Sequence, residues 1–194
     1  MSDFATIQHI IRNRRSARTA DMNGKKIPDK LIRDLLEMAD WAPTHARTEP
    51  WRFLVYSGEA CRQFCTEHAG LYQSHTPGEQ FNQAKHDKLQ HQGDQISHLI
   101  TVYMQRTEPP KLPLIEEIAA TAAAIQNILL GAEAAGISVL WSTGGMTHHP
   151  AMKAHLGLQE HDQMMGLLYL GYTDQAVYPA KRNITLAEKV RWYS

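Results

Sequence analysis

The sequence predicts an α+β fold in which a small mixed or antiparallel sheet is flanked by helices. Three observations lead to this prediction. The 194 residues have the usual length of one domain, and no repeat, low-complexity run or long linker divides residues 1–194. Apolar residues recur at helical spacing, and about four short apolar runs are typical of strands. These segments do not alternate regularly as strand, helix and strand, which argues against a parallel α/β sheet.

The first half of the chain contains three predicted helices and one predicted strand. Residues 4–13 carry apolar side chains at helical spacing and form the first helix. Pro28 suits the first turn of a second helix, which ends before Pro43 because the residue preceding a proline disfavours helical dihedrals. Residues 53–56 are a short apolar strand, and a third helix covers residues 59–71.

The second half of the chain contains three further helices and three strands. The helices are predicted over residues 79–92, 114–135 and 150–156, and the strands over residues 99–104, 137–142 and 164–170. The polar helix over residues 79–92 is expected to face solvent. The helix over residues 114–135 has the strongest pattern, with Glu116 and Glu117 in its first turn complementing the helix dipole and Gly136 ending it.

Composition excludes several classes of protein. Lys and Arg together number 20, and so do Asp and Glu, so the net charge is zero. The composition therefore lacks the excess of basic residues that is typical of nucleic-acid-binding proteins. Two cysteines are too few for a secreted disulfide scaffold. The first residues do not read as a signal peptide, and the apolar region over residues 119–136 is interrupted by polar side chains. We therefore expect a cytoplasmic protein with no nucleic-acid partner and no membrane partner.

Cys61, Cys65 and His68 are a candidate metal site. These residues occupy positions i, i+4 and i+7 on one face of a predicted helix, and two thiolates with an imidazole can hold zinc. A fourth ligand is not evident in the sequence, and this helical spacing is unusual for zinc. Both cysteines are better interpreted as small buried residues, so no metal is predicted.

Two segments in the first half of the chain carry candidate binding chemistry. The basic segment Arg14–Arg18 offers guanidinium groups and a hydroxyl, which suit a phosphate, although a solvated basic loop has the same composition. Residues 42–53 form a polar loop bracketed by Pro43 and Pro50, and this loop either binds a ligand or satisfies its own backbone.

Two further segments lie in the second half. Residues 141–146 end a predicted strand with paired glycines, which let a ligand approach the backbone closely, although a plain tight turn is the alternative. Residues 179–182 include Lys181 and Arg182, which either hold a phosphate or form an ordinary surface patch.

These four segments, in this order and at these separations, resemble the nitroreductase family of FMN-dependent oxidoreductases. The shared motifs are an Arg-x-Ser at Arg14–Ser16, an Ala-Pro loop ending in Pro-Trp-x-Phe at residues 42–53, a strand entering a glycine loop at residues 139–145, Leu-Gly-Tyr at residues 170–172, and Lys181-Arg182. His45 in the Ala-Pro loop and the Trp-x-Ser/Thr pattern before the glycines resemble the compact bacterial subgroup.

The resemblance implies a sheet and helices around a long central helix, in an intertwined homodimer that holds two FMN molecules at the subunit interface. One subunit would supply Arg14, Arg15, Ser16 and Arg18, with Arg182 on the phosphate and Arg18 near flavin N1 and O2. Trp141, Ser142 and Thr143 would line the flavin ring, with Gly144 and Gly145 beside its reactive edge. The partner would supply Trp41 and His45. Whether Lys181 or Arg182 holds the phosphate stays open.

The resemblance also implies an activity. NADH or NADPH would pass a hydride to flavin N5, and a nitroaromatic, quinone or related acceptor would then be reduced at the same place by a ping-pong mechanism. The cofactor carries this chemistry, so no catalytic side chain is expected. The alternative is an FMN-binding protein of the same fold with another task, such as flavin breakdown, dehalogenation or storage. Many relatives have Asn and Gln where this chain has Arg47 and Glu49, which either pair with each other or change which acceptor binds.

Overall fold

A four-stranded sheet forms the centre of the molecule. The computed structural model describes residues 2–175 and 180–193. The strands are β1 (Trp51–Ser57), β2 (His98–Met104), β3 (Ser138–Ser142) and β4 (Gln163–Gly171). Their order in the sheet is β1-β2-β4-β3, and each neighbouring pair is antiparallel. β1 and β3 therefore form the two opposite edges of the sheet.

Within the described residues, six α-helices surround this sheet. They are α1 (Asp3–Asn13), α2 (Asp29–Asp40), α3 (Glu59–His75), α4 (Gln83–His91), α5 (Leu114–Ala134) and α6 (Pro150–His155). The α+β class predicted from the sequence is confirmed, with an antiparallel sheet and α5 as the long helix. The main difference is that α3 continues to His75, four residues beyond its expected end.

Alternation along the strands divides the core into two layers. Side chains at successive strand positions point to opposite faces, so Ile100 and Leu168 pack with the layer formed by α2 and α5. Leu99 and Tyr169 point the other way and pack with α3, α4 and α6. The first layer needs a glycine at Gly131 of α5, because a Cβ there would lie 2.7 Å from Met38 Sδ on α2.

The apolar composition of α5 reflects its position in this core. Its residues 114–134 are long and apolar enough to cross a membrane by length and composition alone. In this fold Ala124, Ile125 and Ile128 are fully buried in the layer that covers the sheet. Burial against the sheet is therefore sufficient to explain why the helix is so apolar.

A buried ion pair fixes the start of α5. Arg106, just beyond β2, pairs with Glu117, whose side chain is fully buried. Thr107 Oγ1 donates to the other Glu117 oxygen at 2.5 Å, and Arg106 Nη2 donates to the carbonyl of Leu112 at 2.6 Å. The Arg106 backbone N–H donates to Asp162 Oδ1 at 3.0 Å. These bonds tie the end of β2, the first turn of α5 and the segment before β4 together.

Candidate active site

The basic segment Arg14–Arg18 runs along the outer edge of β3. Ser16 forms a parallel bridge with Val139, and the Ala17 N–H donates to the Val139 carbonyl at 3.3 Å. Because β3 is an edge strand, its free backbone groups can accept this segment as a short additional strand. The structure thus brings the first and the third sequence-predicted segments together, although about 120 residues separate them in the chain.

The arginines of this segment have different surroundings. Arg14 follows α1, and its backbone N–H donates to the Ile10 carbonyl at 3.0 Å. Arg15 Nη1 donates to the carbonyls of Arg12 and Arg14 at 2.8 and 2.7 Å, which curls its side chain back onto α1. The exposed Ser16 lies between them and the cavity described next.

Arg18 forms a two-point ion pair with Asp21. Its Nε and Nη2 donate to the two carboxylate oxygens at 2.7 and 2.9 Å. These hydrogen bonds lower the pKa of Asp21 below its usual value. The pair keeps the carboxylate ionised and fixes the direction of the guanidinium at the mouth of the cavity.

A cavity of about 690 Å³ opens between this segment, β3 and α4. We call it the edge cavity, and it is lined by Arg18, Thr19, Ala20, Asp21, Leu140, Ser142, Lys88, His91, Gln92 and Gln95. Arg18 and Asp21 balance each other in their ion pair, and His91 Nδ1 contacts Asp94 Oδ2 at 2.9 Å, so Lys88 supplies the net positive charge of the lining. The cavity therefore favours an anionic ligand with several hydrogen-bond acceptors.

The α4 side of the edge cavity was not predicted from the sequence. The sequence predicts a solvent-facing helix over residues 79–92, whereas the structure places Lys88, His91, Gln92 and Gln95 in the lining of the cavity. Gln92 is buried and its side-chain oxygen accepts from the Tyr169 hydroxyl at 3.1 Å. Lys88 and His91 lie on α4, whereas Gln92 and Gln95 follow its last residue, so only the tertiary structure brings the four together beside β3.

A tight turn follows β3 beside the edge cavity. Ser142 Oγ accepts from the Gly144 N–H at 3.3 Å, and Thr147 Oγ1 donates to the Gly144 carbonyl at 2.6 Å. Gly145 has a φ of 65°, in the left-handed region that favours glycine. Thr143, Gly144 and Gly145 are exposed, so their backbone groups are accessible to a ligand.

A buried histidine of α3 supports this turn. His68 Nε2 accepts from the Met146 N–H at 2.8 Å, so the ring is neutral and carries its proton on Nδ1. Burial, followed by the positive surroundings of His155 and Lys85, lowers the pKa of His68 to about 4. A Cβ at Gly145 would lie 2.4 Å from the same Nε2 atom. The glycine is thus needed both for its φ and for the approach of the imidazole.

Trp141 lies on the opposite face of β3 from the edge cavity. Its Nε1 donates to the Met165 carbonyl at 2.9 Å, and its ring packs against the layer formed by α2 and α5. The neighbouring strand accommodates this ring through Gly166, where a Cβ would lie 2.2 Å from Trp141 Nε1. The structure does not bring Trp141 to the cavity, because strand alternation places Leu140 and Ser142 there instead.

The Ala-Pro loop lies at the other edge of the sheet. It leads into β1, whereas the edge cavity adjoins β3, and two strands separate them. At about 4.8 Å per strand spacing, β1 and β3 lie roughly 14 Å apart. Trp41 is 82% exposed, and His45 Nδ1 pairs with Glu116 Oε2 of α5 at 2.6 Å. Within one chain, Trp41 and His45 therefore do not join the residues at the edge cavity.

The Ala-Pro loop is strained. Ala46, Arg47 and Glu49 have φ values of 50°, 53° and 42°, which non-glycine residues rarely adopt. Such conformations cost about 1–3 kcal/mol each and cluster at ligand sites. In the part of the chain that the structure describes, the ion pairs do not include one between Arg47 and Glu49.

The C-terminal segment is separate from the edge cavity. Arg182 and Lys181 are exposed and do not line it. Pro179, with which this sequence-predicted segment begins, lies outside the described residues. Over residues 180–193, side-chain hydrogen bonds are local, as between Thr185 and Glu188 at 2.6 Å.

The cysteines of α3 are placed for packing. Cys61 and Cys65 are buried free thiols, and burial raises their pKa values to about 11 and about 12. Among residues 2–175 and 180–193, the His, Cys, Asp and Glu side chains form no group of three that would hold a metal ion.

Comparisons with known proteins agree with this architecture. Residues 11–172 match the model of the Nitroreductase family. YfhC of Bacillus subtilis (strain 168), whose name provisionally assigns it as an NAD(P)H nitroreductase, is 28% identical over 179 residues, covering 92% of this chain and 90% of YfhC. The crystal structure of a nitroreductase-like family protein from Bacillus cereus is 30% identical with a TM-score of 0.83, covering 100% of this chain and 98% of that one.

A more distant structure shares the fold. The FMN-dependent nitroreductase NfnB from Mycobacterium smegmatis, solved in complex with NADPH, is 17% identical with a TM-score of 0.74. The likeness covers 99% of this chain and 100% of NfnB. With a family model matched over most of its length, the chain belongs to the Nitroreductase family.

Proposed function

We propose that this protein is an FMN-dependent oxidoreductase that uses NADH or NADPH to reduce nitroaromatic, quinone or related acceptors. The observation that carries the proposal is the edge cavity, where a basic segment, a glycine turn and a cationic helix face meet in a chain of the Nitroreductase family. We further propose that residues 1–194 act as one domain and that the protein is cytoplasmic.

The residues at the edge cavity fit FMN in size and in chemistry. Its volume of about 690 Å³ falls in the range of roughly 300–1,000 Å³ that is usual for small-molecule sites. A phosphate needs cations and hydroxyls, which Arg14, Arg15 and Ser16 supply beside β3. A flavin edge needs backbone N–H groups without side-chain obstruction. At Gly144 a Cβ would approach only Ser142 Oγ, at 3.6 Å, so the backbone there is open.

We assign the following roles to the residues around the edge cavity. Arg14, Arg15 and Ser16, which precede the lining residue Arg18, bind the phosphate, and Arg182 or Lys181, neither of which lines the cavity of its own chain, adds a further cation. Arg18 and Lys88 place positive charge where an anionic ring would be stabilised. Gly145 offers its backbone N–H group, and the exposed Gly144 lets the flavin edge approach the backbone. Ser142 holds the turn by accepting from the Gly144 N–H, Thr143 lies beside it in the turn, and Trp141 stiffens β3 from its other face.

When bound, FMN would supply the redox chemistry by exchanging a hydride at N5, first with NAD(P)H and then with the acceptor in a ping-pong sequence. The chain's own contribution is to bind and orient. Because no protein nucleophile takes part, the side chains need only hold the cofactor and leave one of its faces open.

The roles proposed for Trp41 and His45 require a second copy of the chain. Trp41 and His45 lie at the opposite sheet edge from the edge cavity, so only a partner subunit can bring them there. The chain also exposes apolar side chains on one face of α1. Phe4, Ile7 and Ile11 are 73%, 50% and 51% exposed along one stripe of α1, which has no buried residue. We therefore propose a homodimer with FMN at the subunit interface.

The first experiment is an absorbance spectrum of the purified protein before and after anaerobic addition of NADH or NADPH. We expect flavin bands that bleach with at least one donor, and a mass of twice 22.0 kDa by light scattering. Flavin bands that do not bleach would favour the alternative of an FMN-binding protein with another task, such as flavin breakdown, dehalogenation or storage. A protein without flavin bands after reconstitution with FMN would contradict the assignment.

The phosphate assignment is tested with Arg14→Ala. We expect the variant to lose most of its FMN on gel filtration while its apo form unfolds within about 0.5 kcal/mol of the wild type, because Arg14 is only partly buried. Arg33→Ala on α2 is the matched control, since Arg33 is exposed and distant from the edge cavity. Stoichiometric FMN in Arg14→Ala would show that this arginine does not hold the phosphate.

A further inference from the structure

A second cavity lies at the glycine turn that follows β3. It has a volume of about 250 Å³, and we call it the lysine–histidine cavity. It shares no lining residue with the edge cavity, but both are lined by residues of this turn and of α4. Ser142 and Lys88 line the edge cavity, whereas Gly145 of the same turn and Lys85, one helical turn earlier on α4, line the smaller one. A molecule seated at the glycine turn can therefore extend into the lysine–histidine cavity.

Tyr72 and His149 each have a proton to donate to a ligand in this cavity. The Tyr72 hydroxyl accepts from the Asn82 N–H at 3.1 Å, so its own proton remains available to a ligand. His149 Nδ1 accepts from the Ala151 N–H at 3.1 Å, so the neutral ring carries its proton on Nε2. The His75 ring lies 5.2 Å from the His149 ring.

Among residues 2–175 and 180–193, no carboxylate forms an ion pair with Lys85. Its Nζ lies 4.6 Å from the centre of the Tyr72 ring, and none of the described residues that line the cavity is acidic. The nearest acid along α4, Asp87, instead accepts from the Gln83 side chain at 2.7 Å and contacts His86 Nδ1 at 3.2 Å. A lysine above an aromatic ring, with donors around it, is a receptor for an anion.

We propose that the lysine–histidine cavity binds the carboxylate of an aromatic acceptor whose reducible group lies at the glycine turn, so that the enzyme prefers acidic acceptors. This inference rests on the proposed function for the position of the reducible group. The volume of about 250 Å³ lies below the roughly 300–1,000 Å³ of a site for a whole ligand. The cavity thus holds one end of the acceptor and is too small for a dinucleotide donor.

The test compares 4-nitrobenzoate with 4-nitrobenzamide, which has nearly the same shape and no charge. In the FMN-loaded protein, Lys85→Gln should raise KM for 4-nitrobenzoate about tenfold and change KM for 4-nitrobenzamide less than twofold, with kcat unaltered for both. Lys30→Gln is the control, because Lys30 pairs with Asp34 on α2, on the other face of the sheet. It should leave both KM values unchanged.

Calorimetric binding of benzoate and benzamide gives a readout that does not need turnover. Benzoate should bind the wild type about tenfold more tightly than benzamide, and Lys85→Gln should remove this preference. Tyr72→Phe, which keeps the ring, should weaken benzoate binding about threefold. Equal binding of the two probes to the wild type, or a preference that survives in Lys85→Gln, would overturn the proposal. A Lys85-dependent preference in a protein that reduces no acceptor would support the anion site while refuting the proposed oxidoreductase function.

Discussion

Gly145→Ala tests whether the histidine behind the glycine turn shapes it. The substituted residue would face two independent penalties. Its φ of 65° lies in the left-handed region, and its Cβ would lie 2.4 Å from His68 Nε2, 2.7 Å from His68 Cε1 and 2.9 Å from Leu89 Cδ2. Gly157→Ala provides a matched control, because Gly157 has a φ of 67° and a Cβ there would meet nothing within 4 Å.

The structure gives a magnitude for each penalty. The left-handed backbone costs a non-glycine residue about 1–2 kcal/mol, and this applies to both variants. At Gly145 the imidazole must also move, which breaks its 2.8 Å hydrogen bond from the Met146 N–H. An unsatisfied buried donor costs a further 1–3 kcal/mol or so. We therefore expect losses of about 1–2 kcal/mol for Gly157→Ala and about 2–5 kcal/mol for Gly145→Ala.

Urea unfolding of the apo protein measures both losses at constant m-value. Hydrogen exchange at the Met146 amide provides a local measurement, and it should be accelerated in Gly145→Ala and unchanged in Gly157→Ala. FMN retention should fall in Gly145→Ala alone. Equal destabilisation by the two substitutions, with unchanged Met146 exchange, would refute the claim that His68 and the turn are in obligatory contact.

Three further predictions concern the buried groups. Glu117→Ala should cost about 3–5 kcal/mol in urea unfolding, because it leaves the Arg106 guanidinium buried without its partner. Stability should fall on acidification from about pH 7 to pH 4, because the unfolded chain protonates His68 near its ordinary pKa of 6.5 whereas the folded chain does so only at about 4. This loss is on the order of 3 kcal/mol and should shrink in His68→Gln; an unchanged pH profile in that variant would contradict it. Cys61 and Cys65 should resist a thiol reagent in the native protein and react together on unfolding, and rapid native labelling of either would contradict their burial.

The regular elements were predictable because their patterns are local. Apolar alternation and helical spacing located all four strands and six helices, and the glycines and prolines located most of their ends. The end of α3 was missed because Gln73, Ser74 and His75 are polar. Tyr72 continues the buried stripe of this helix at helical spacing, four residues after His68.

The candidate site was only partly predictable for a similar reason. The residue types around a phosphate and a flavin edge were recognisable in Arg14–Arg18 and in the turn at Gly144 and Gly145. The α4 side of the edge cavity was missed because a polar helix that lines a cavity has the same composition as one that faces solvent. Trp141 was expected to line the flavin ring with Ser142. Strand alternation places its side chain on the other face of β3 from Leu140 and Ser142, which line the edge cavity.

The sequence by itself determined the elements and the chemical types of the candidate ligands, because both depend on residues close together in the chain. Only the tertiary structure decided which of them share a site. The order β1-β2-β4-β3 places β3 at an edge, where Ser16 can pair with Val139, and places the Ala-Pro loop at the opposite edge. Strand order depends on how all layers of the core pack at once, and no local pattern encodes it.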